Sequence, residues 1–283
     1  QKPYHRDISE KNNSSYPVAL ESSSNGRGRS LTQNILNELK ISHRMMREFY
    51  VPIYTEGDVS EQAKIIRELE EDIYNPLIEA VKNISSKIDT GEIEPEIALY
   101  LSKNDVNLSG KSLNRAKRVA FLPMKGDPWQ VGDIFVTLKV IAETGVDKTI
   151  VAIDNSDPIR KSNLRTLTIR EALTKEVLKI LRPLVEYTPI AKEEADLFAA
   201  DGETMIFRLM QLNHNDNIEW FYVVGSDHRH WEVKKKVKDE VVILPDTTLK
   251  LINKQKDSLY GYNDAGRKSR LAGVIFIERE GDP

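Results

Sequence analysis

Three stretches of the chain concentrate residue types that can handle a phosphate. The first runs from Lys125 and Gly126 through Gln130 to Gly132 and Asp133. Before it, Arg118-Val119-Ala120-Phe121-Leu122 is apolar and β-compatible and stops at Pro123, which predicts a short buried strand. Gly126, Pro128 and Gly132 break regular structure. After it, Ile134, Leu138, Ile141 and Ala142 recur at helical spacing, and Gly145 stands where a helix end favours φ > 0. A strand, a glycine loop and a helix start aim free backbone N–H groups and the positive end of a helix dipole at one point, an arrangement that suits a phosphate.

The second stretch, Asp154–Lys161, follows the β-branched run Lys148–Ile153 and carries Arg160 and Lys161, with Arg165 close behind. The third, Gly225–Trp231, follows the apolar run Trp220–Val224. It contains Asp227-His228-Arg229-His230, an acid and two imidazoles of the kind that ligate metals. Histidines two apart share a face only on a strand, and no third histidine is near. A dedicated metal site needs three or more convergent ligands, so the expectation here is nucleotide contact and no metal centre.

These stretches need elements to position them. Between the apolar runs lie helical patterns at Asp133–Thr144, at Leu167, Ile169, Leu173, Val177, Leu178 and Leu181 up to Pro183, and at Thr204–Leu212; Leu184–Tyr187 reads as another strand. Strands alternating with helices predict an α/β domain with a doubly wound parallel sheet, covered on both faces, whose ligands bind at the carboxyl ends of the strands. The three stretches fall at such ends. Val241–Leu244 and Gly273–Ile277 compete for the last strand, and Lys250–Arg270 between them reads as a mobile loop or insertion.

The first hundred residues read differently. Residues 1–30 are rich in Ser, Asn and Gly and read as a flexible tail. Leu31, Ile35, Leu39, Met46, Phe49 and Tyr50 mark an amphipathic helix that Pro52 is expected to end. A second helix starts at Asp58 with Glu61 as a capping partner, and Pro76 is expected to kink it. A third is expected over Pro95–Lys103, which makes residues 31–114 an all-helical region with a linker, ahead of an α/β domain at 115–283. Gly110-Lys111-Ser112 imitates the end of a P-loop, but Asp105 stands where the motif needs glycine and no strand precedes it.

Composition narrows the class. Hydrophobic residues make up 40% of the 283, enough for a sizeable core. A net charge of −3 argues against general nucleic-acid binding. The absence of cysteine excludes disulfides, zinc thiolates and thiol catalysis. No apolar run approaches the roughly 20 residues of a membrane span and no signal core is evident, so a cytoplasmic protein with no membrane partner is expected, Gln1 not being the natural first residue.

The second half also resembles a known family, the nicotinate- and nicotinamide-mononucleotide adenylyltransferases of the cytidylyltransferase-like nucleotidyltransferase superfamily. Gly126-Asp127-Pro128-Trp129-Gln130-Val131-Gly132-Asp133 resembles their first loop, Pro-x-His-x-Gly-His. Asp157-Pro158-Ile159-Arg160-Lys161 resembles their Pro-His-Lys loop, and Glu203-Thr204-Met205 their Ser-Tyr-Thr segment. Phe221–Asp227 is similar to their strand and Gly-Ala/Ser-Asp turn, and Val274–Ile277 with Arg279 and Gly281 to the strand beyond. The resemblance spans Arg118–Gly281 and none of the helical region.

It implies a Rossmann-like fold and adenylyl transfer from ATP, with Mg²⁺, to a mononucleotide. Gln130, Asp133 and Lys125 would be catalytic. Met124, Gly126, Gly132, Arg160, Lys161, Gly225 and Asp227 would bind nucleotide, and Thr204 and Trp231 the second substrate. The chain departs from the family where it matters, because Gln130 and Asp133 replace the two loop histidines that meet the ATP phosphates. A glutamine still donates a hydrogen bond, whereas a carboxylate repels phosphate unless it is protonated or screened by a cation. The family's closing Ser-Ser/Thr-x-x-Arg motif is absent, and Arg267-Lys268-Ser269-Arg270 is the nearest substitute for its charge. The competing expectations are a nucleotide-binding or regulatory protein without chemistry, or a nucleotidyltransferase for another phosphorylated substrate. In either case the helical region would serve self-association or a protein partner.

Overall fold

The computed structural model describes residues 27–95, 97, 115–127, 129, 131–154, 166–188, 201–229, 232–237, 240–245, 247, 248, 250, 251 and 268–278. At its centre is a five-stranded, all-parallel sheet with helices packed round it, an α/β fold. The strands are β1 (Lys117–Met124), β2 (Lys148–Ile153), β3 (Val185–Tyr187), β4 (Ile218–Gly225) and β7 (Arg270–Ile277), in the order β3-β2-β1-β4-β7. The chain builds outward from β1 in one direction, then returns to its other side for β4. That reversal leaves β1 and β4 as neighbours at the centre.

Both faces are buried, as parallel sheets require. Ala120, Leu122, Val151, Ile153, Val185 and Val223 point to one face, beneath helices α5 (Val131–Thr144) and α6 (Leu167–Leu178). Val119, Phe121, Ile150, Ala152, Trp220 and Tyr222 point to the other, beneath α7 (Gly202–Leu212). The period of two in β1 therefore feeds two cores. Helix α5 ends at Gly145 with φ +65°, the conformation its position predicts.

Pro123 does not stop the first strand. β1 stays in register with β2 out to Met124–Ile153, but its ladder to β4 ends at Phe121–Tyr222. A proline has no N–H to give a neighbour, so β1 parts from β4 where the proline begins.

The N-terminal helices share the first of these cores. Helix α1 (Arg27–Met45) passes through a π turn at Met46–Tyr50 into the short α2 (Val51–Tyr54). Pro52 therefore does not end the helix, because the π turn just before it accommodates the missing N–H. Helix α3 (Val59–Glu68) is capped by Asp58, which accepts from the N–H groups of Ser60 and Glu61. It runs through a second π turn, Leu69–Tyr74, into α4 (Asn75–Asp89), with Pro76 again just after the π turn. Ile35, Leu77, Val81 and Ile84 join the cluster formed by Leu138, Ile141 and the sheet. Of the third helix expected over Pro95–Lys103, Pro95 and Ile97 are described and are not helical. Residues 96 and 98–103, the 104–114 linker and residues 1–26 of the expected tail lie outside the described residues, and residues 27–30 of that tail belong to α1.

Asp147, fully buried, fastens the start of β1 to this assembly. It takes Arg115 through Nη2 at 2.6 Å and Nη1 at 2.7 Å, the Arg118 N–H at 2.8 Å and the Glu94 N–H at 2.8 Å. The hydrogen bond to Asp147 holds the Arg115 guanidinium above its ordinary pKa, outweighing its partial burial.

Two further readings of the sequence change. Helix α6 buries Arg170, Thr174 and Leu178 and leaves Ile169 and Leu173 exposed, so it is turned away from its apolar stripe. The cause is polar, as the site geometry shows. Val241–Leu244 joins no strand of the main sheet; it lies in β6 (Glu240–Pro245), paired antiparallel with the unforeseen β5 (Glu232–Val237). The last strand of the main sheet is the other candidate, β7. Residues 252–267 of the expected loop lie outside the described residues.

Candidate functional site at the carboxyl ends of the strands

Where the order of a parallel sheet reverses, the loops leaving two adjacent strands diverge to opposite faces and open a crevice. Here those strands are β1 and β4. The loop after β1 starts with Lys125 and Gly126, and β4 ends at Gly225, leading into a 3-10 turn at Ser226–Arg229. On one face the loop feeds the first turn of α5, which holds Gly132 and Asp133. On the other, α7 brings its N-terminus to the same end of the sheet. Its Gly202 sits so close that a Cβ there would lie 2.4 Å from the Tyr222 hydroxyl and 2.7 Å from Pro123 Cγ.

The loop after β1 is held from beneath by α6. Arg170 donates Nη1 to the Lys125 carbonyl at 2.8 Å. Trp129 donates its indole N–H to Thr174 Oγ1 at 2.7 Å, and Thr174 in turn donates to the Arg170 carbonyl at 2.8 Å. These bonds turn α6 and bury an arginine where the apolar pattern would place Ile169. Gly126 takes φ +59° against this support, with Ile153 Cδ1 2.6 Å from where its Cβ would be. Only glycine combines that backbone with that contact.

The side chains that reach this end are of both signs. Lys125 Nζ lies 3.3 Å from Asp154 Oδ2, just past the end of β2. Asp201 caps α7, taking the Thr204 N–H at 2.6 Å. The phenol of Tyr222 is held well above its ordinary pKa, first by burial and then by the charges of Glu203, Asp154 and Asp201. The charges of those three carboxylates are therefore all felt at one buried hydroxyl. Tyr187, at the end of β3, is also raised, by burial and by its hydrogen bond to Glu171.

The residues singled out in the sequence fare unequally. Lys125, Gly126, Gly132, Asp133 and Gly225, with the backbone of Asp227, come to this one end of the molecule. A Cβ on Gly132 would meet nothing within 4 Å, so no packing demands glycine there. Met124 packs its side chain on the core, and its carbonyl accepts the Asp154 N–H at 2.8 Å. Thr204 is buried in the first turn of α7. Gln130, Arg160, Lys161, Arg165 and Trp231 lie outside the described residues. Arg270, suggested as a replacement phosphate ligand, starts β7 at the far end of the sheet and is paired with Glu219. His228 meets Thr247 Oγ1 at 3.0 Å through Nδ1, and among the described residues no three His, Asp or Glu side chains are placed to hold a metal.

Asp154, Asp201, Tyr222 and Arg170 were not singled out. Asp201 had a signal, since it stands three residues before Thr204 in the manner of an N-cap. Tyr222 and Arg170 had none, because their roles depend on which face of an element turns inward.

A cleft of about 820 Å³ also opens at the opposite end, among Lys87, Glu92, Arg115, Arg118, Asn217 and Arg270. Its cations already have work to do. Arg115 binds Asp147, Arg270 binds Glu219, Lys87 donates to the Ala142 carbonyl at 2.6 Å and Arg118 to the Glu92 carbonyl at 2.8 Å. Volume alone does not make this cleft the site, and the amino ends of parallel strands are not where such sheets bind ligands.

No protein-family model matches the chain, and neither a curated protein nor a solved structure matches it.

Proposed function

We propose that the chain is a Rossmann-like nucleotidyltransferase that moves the adenylyl group of MgATP to the phosphate of a mononucleotide, such as nicotinate or nicotinamide mononucleotide, as in NAD synthesis. One observation carries this reading. The glycine loop after β1, leading to the first turn of α5, and the Gly225-Ser226-Asp227 turn after β4 leave the two adjacent strands between which the strand order reverses. In the reaction, an oxygen of the mononucleotide phosphate attacks the α-phosphorus in line, and the bond to the β-phosphate oxygen breaks to release pyrophosphate. No covalent intermediate is needed, so the protein contributes positioning and charge. Lys125 and the amides near Gly126 meet the triphosphate, with Arg160 and Lys161 as further cations. Mg²⁺ arrives with the nucleotide.

A second reading, a nucleotide-binding or regulatory protein without chemistry, is favoured by the acidity of the crevice. Asp154 shares the charge of Lys125, and Asp133 stands in the first turn of α5, where a phosphate would approach.

Pyrophosphate release from ATP, Mg²⁺ and either mononucleotide separates the two, measured beside a Gln130→His/Asp133→His variant. Release by the natural sequence supports the transferase. Release only by the variant means a preserved scaffold with disabled phosphate chemistry. If both are silent, adenylyl transfer to these acceptors is unsupported, and nucleotide-binding calorimetry then tests whether the chain binds a nucleotide at all.

A further inference from the structure

The turn that joins the first two helical arms carries an apolar face that nothing in the chain's described residues covers. Phe49 is 59% exposed, Ile53 72%, Tyr54 80% and Val59 75%, with Ile41, Met45 and Tyr50 about half exposed. Their inward counterparts, Ile35, Val51 and Thr55, are buried, so this is the second face of an element already packed on the core.

The π turn makes the face continuous. Twelve residues of α-helix from Ile41 to Ile53 would rotate the stripe by about 120°. The turn at Met46–Tyr50 closes through one more residue than an α turn and takes out most of that drift. Ile41, Met45, Phe49 and Ile53 then lie along one line, with Tyr50 and Tyr54 beside it. The opposing π turn at Leu69–Tyr74 supports this shape, since Arg47 Nη1 lies 3.3 Å from Glu70 Oε1 across the two arms.

We propose that this face joins two copies of the chain in an isologous dimer, with α1 and its π turn packed antiparallel on the same element of the partner. Three observations select a second copy. Six large apolar side chains on one continuous element, Ile41, Met45, Phe49, Tyr50, Ile53 and Tyr54, are each 45–80% exposed, whereas an ordinary monomer scatters such residues singly. The stripe is complementary to itself, because a two-fold axis between Met45 and Phe49 sets Ile41 against Ile53 and Met45 against Phe49. The charges agree with the same axis: exposed Lys40 at one end comes within a turn of exposed Glu56 at the other.

Sedimentation of the full chain from about 1 to 100 µM tests this. The expected mass approaches twice the 32.3 kDa of one chain. Phe49→Glu and the milder Ile53→Ser are expected to raise the dimer dissociation constant at least 100-fold and about 10-fold, with unchanged thermal melting by circular dichroism. Lys40→Glu is expected to weaken the dimer several-fold, and Lys40→Glu/Glu56→Lys to restore it. A chain that stays monomeric throughout overturns the proposal and leaves the face to a different protein. A dimer indifferent to all these substitutions overturns it equally, by placing the interface elsewhere.

Discussion

Arg170 and Lys125 are joined by a bond that decides how a helix faces the sheet: the guanidinium, 1% exposed, donates to the Lys125 carbonyl at 2.8 Å. A buried guanidinium is costly unless it is used. Here it fixes the first residue of the loop that the proposed reaction depends on. Arg170→Met keeps most of the volume but leaves that carbonyl without its donor, and is expected to cost about 3 kcal/mol in urea unfolding. It should also shift the emission of Trp129, whose indole bonds to Thr174 one turn along α6. A loss below about 1 kcal/mol with unchanged fluorescence would show that the loop stands without it.

The two loop glycines are expected to behave oppositely. Gly126→Ala meets both the left-handed backbone and Ile153 Cδ1, and should cost about 1–3 kcal/mol, part of it recovered in Gly126→Ala/Ile153→Val. Gly132→Ala has open space and lies in a helix, so it should leave stability unchanged or raise it by about 0.5 kcal/mol. Any loss of nucleotide binding in Gly132→Ala then reports a ligand that comes close to the backbone. Equal destabilisation by the two changes would contradict this division.

That contrast also shows what the sequence discloses. Hydrophobic runs and their spacing disclose β1, β2, β4, α5 and α7 within a few residues, because one period of two or 3.6 governs each. Gly145 is legible because a helix end has a single chemical solution. The orientation of α6 is not legible, since Ile169 and Leu173 obey the apolar rule and Arg170 and Thr174 overrule it through partners on a distant loop. The hairpin of β5 and β6 is hidden for a related reason: Glu232–Val237 reads as a charged run until its neighbour pairs with it. At the site, Lys125, Gly126 and Gly132 announce themselves by type. Asp154 and Tyr222 matter only because the strand order sets β2, β1 and β4 side by side.

The buried tyrosines predict the alkaline limit of the fold. Tyr222 and Tyr187 both have folded pKa values above their ordinary 10.0. Below that pH folded and unfolded chains alike keep the protons, so these groups have no effect. Above it the unfolded phenols ionise and the folded ones do not, so stability falls as pH rises past about 10, by up to about 1.4 kcal/mol per pH unit for each group. Lys148 acts the other way. Burial lowers its pKa against the help of Glu186, so its contribution rises with pH up to its ordinary 10.5. Urea midpoints from pH 8 to 11.5 should climb gently and then drop, and Tyr222→Phe should make the drop shallower. An identical alkaline slope in Tyr222→Phe would mean that its phenol ionises in the folded state.

The ion pair of Lys125 with Asp154 gives the most direct test of the crevice. At 3.3 Å the carboxylate competes with any phosphate for the ammonium, and both groups keep some access to solvent. If a triphosphate binds here, Lys125→Ala should weaken it about tenfold, some 1.4 kcal/mol. Asp154→Asn should tighten it several-fold, by freeing the lysine and removing a repelling charge. The double variant should match Lys125→Ala to within about twofold, because without the lysine the main service of removing Asp154 is lost. Calorimetry with ATP and Mg²⁺ reads all three. The opposite sign for Asp154→Asn, a loss comparable to that of Lys125→Ala, would assign the carboxylate to Mg²⁺ or to ribose instead of to restraint of the lysine, and the acidity of the crevice would then count for the transferase and not against it.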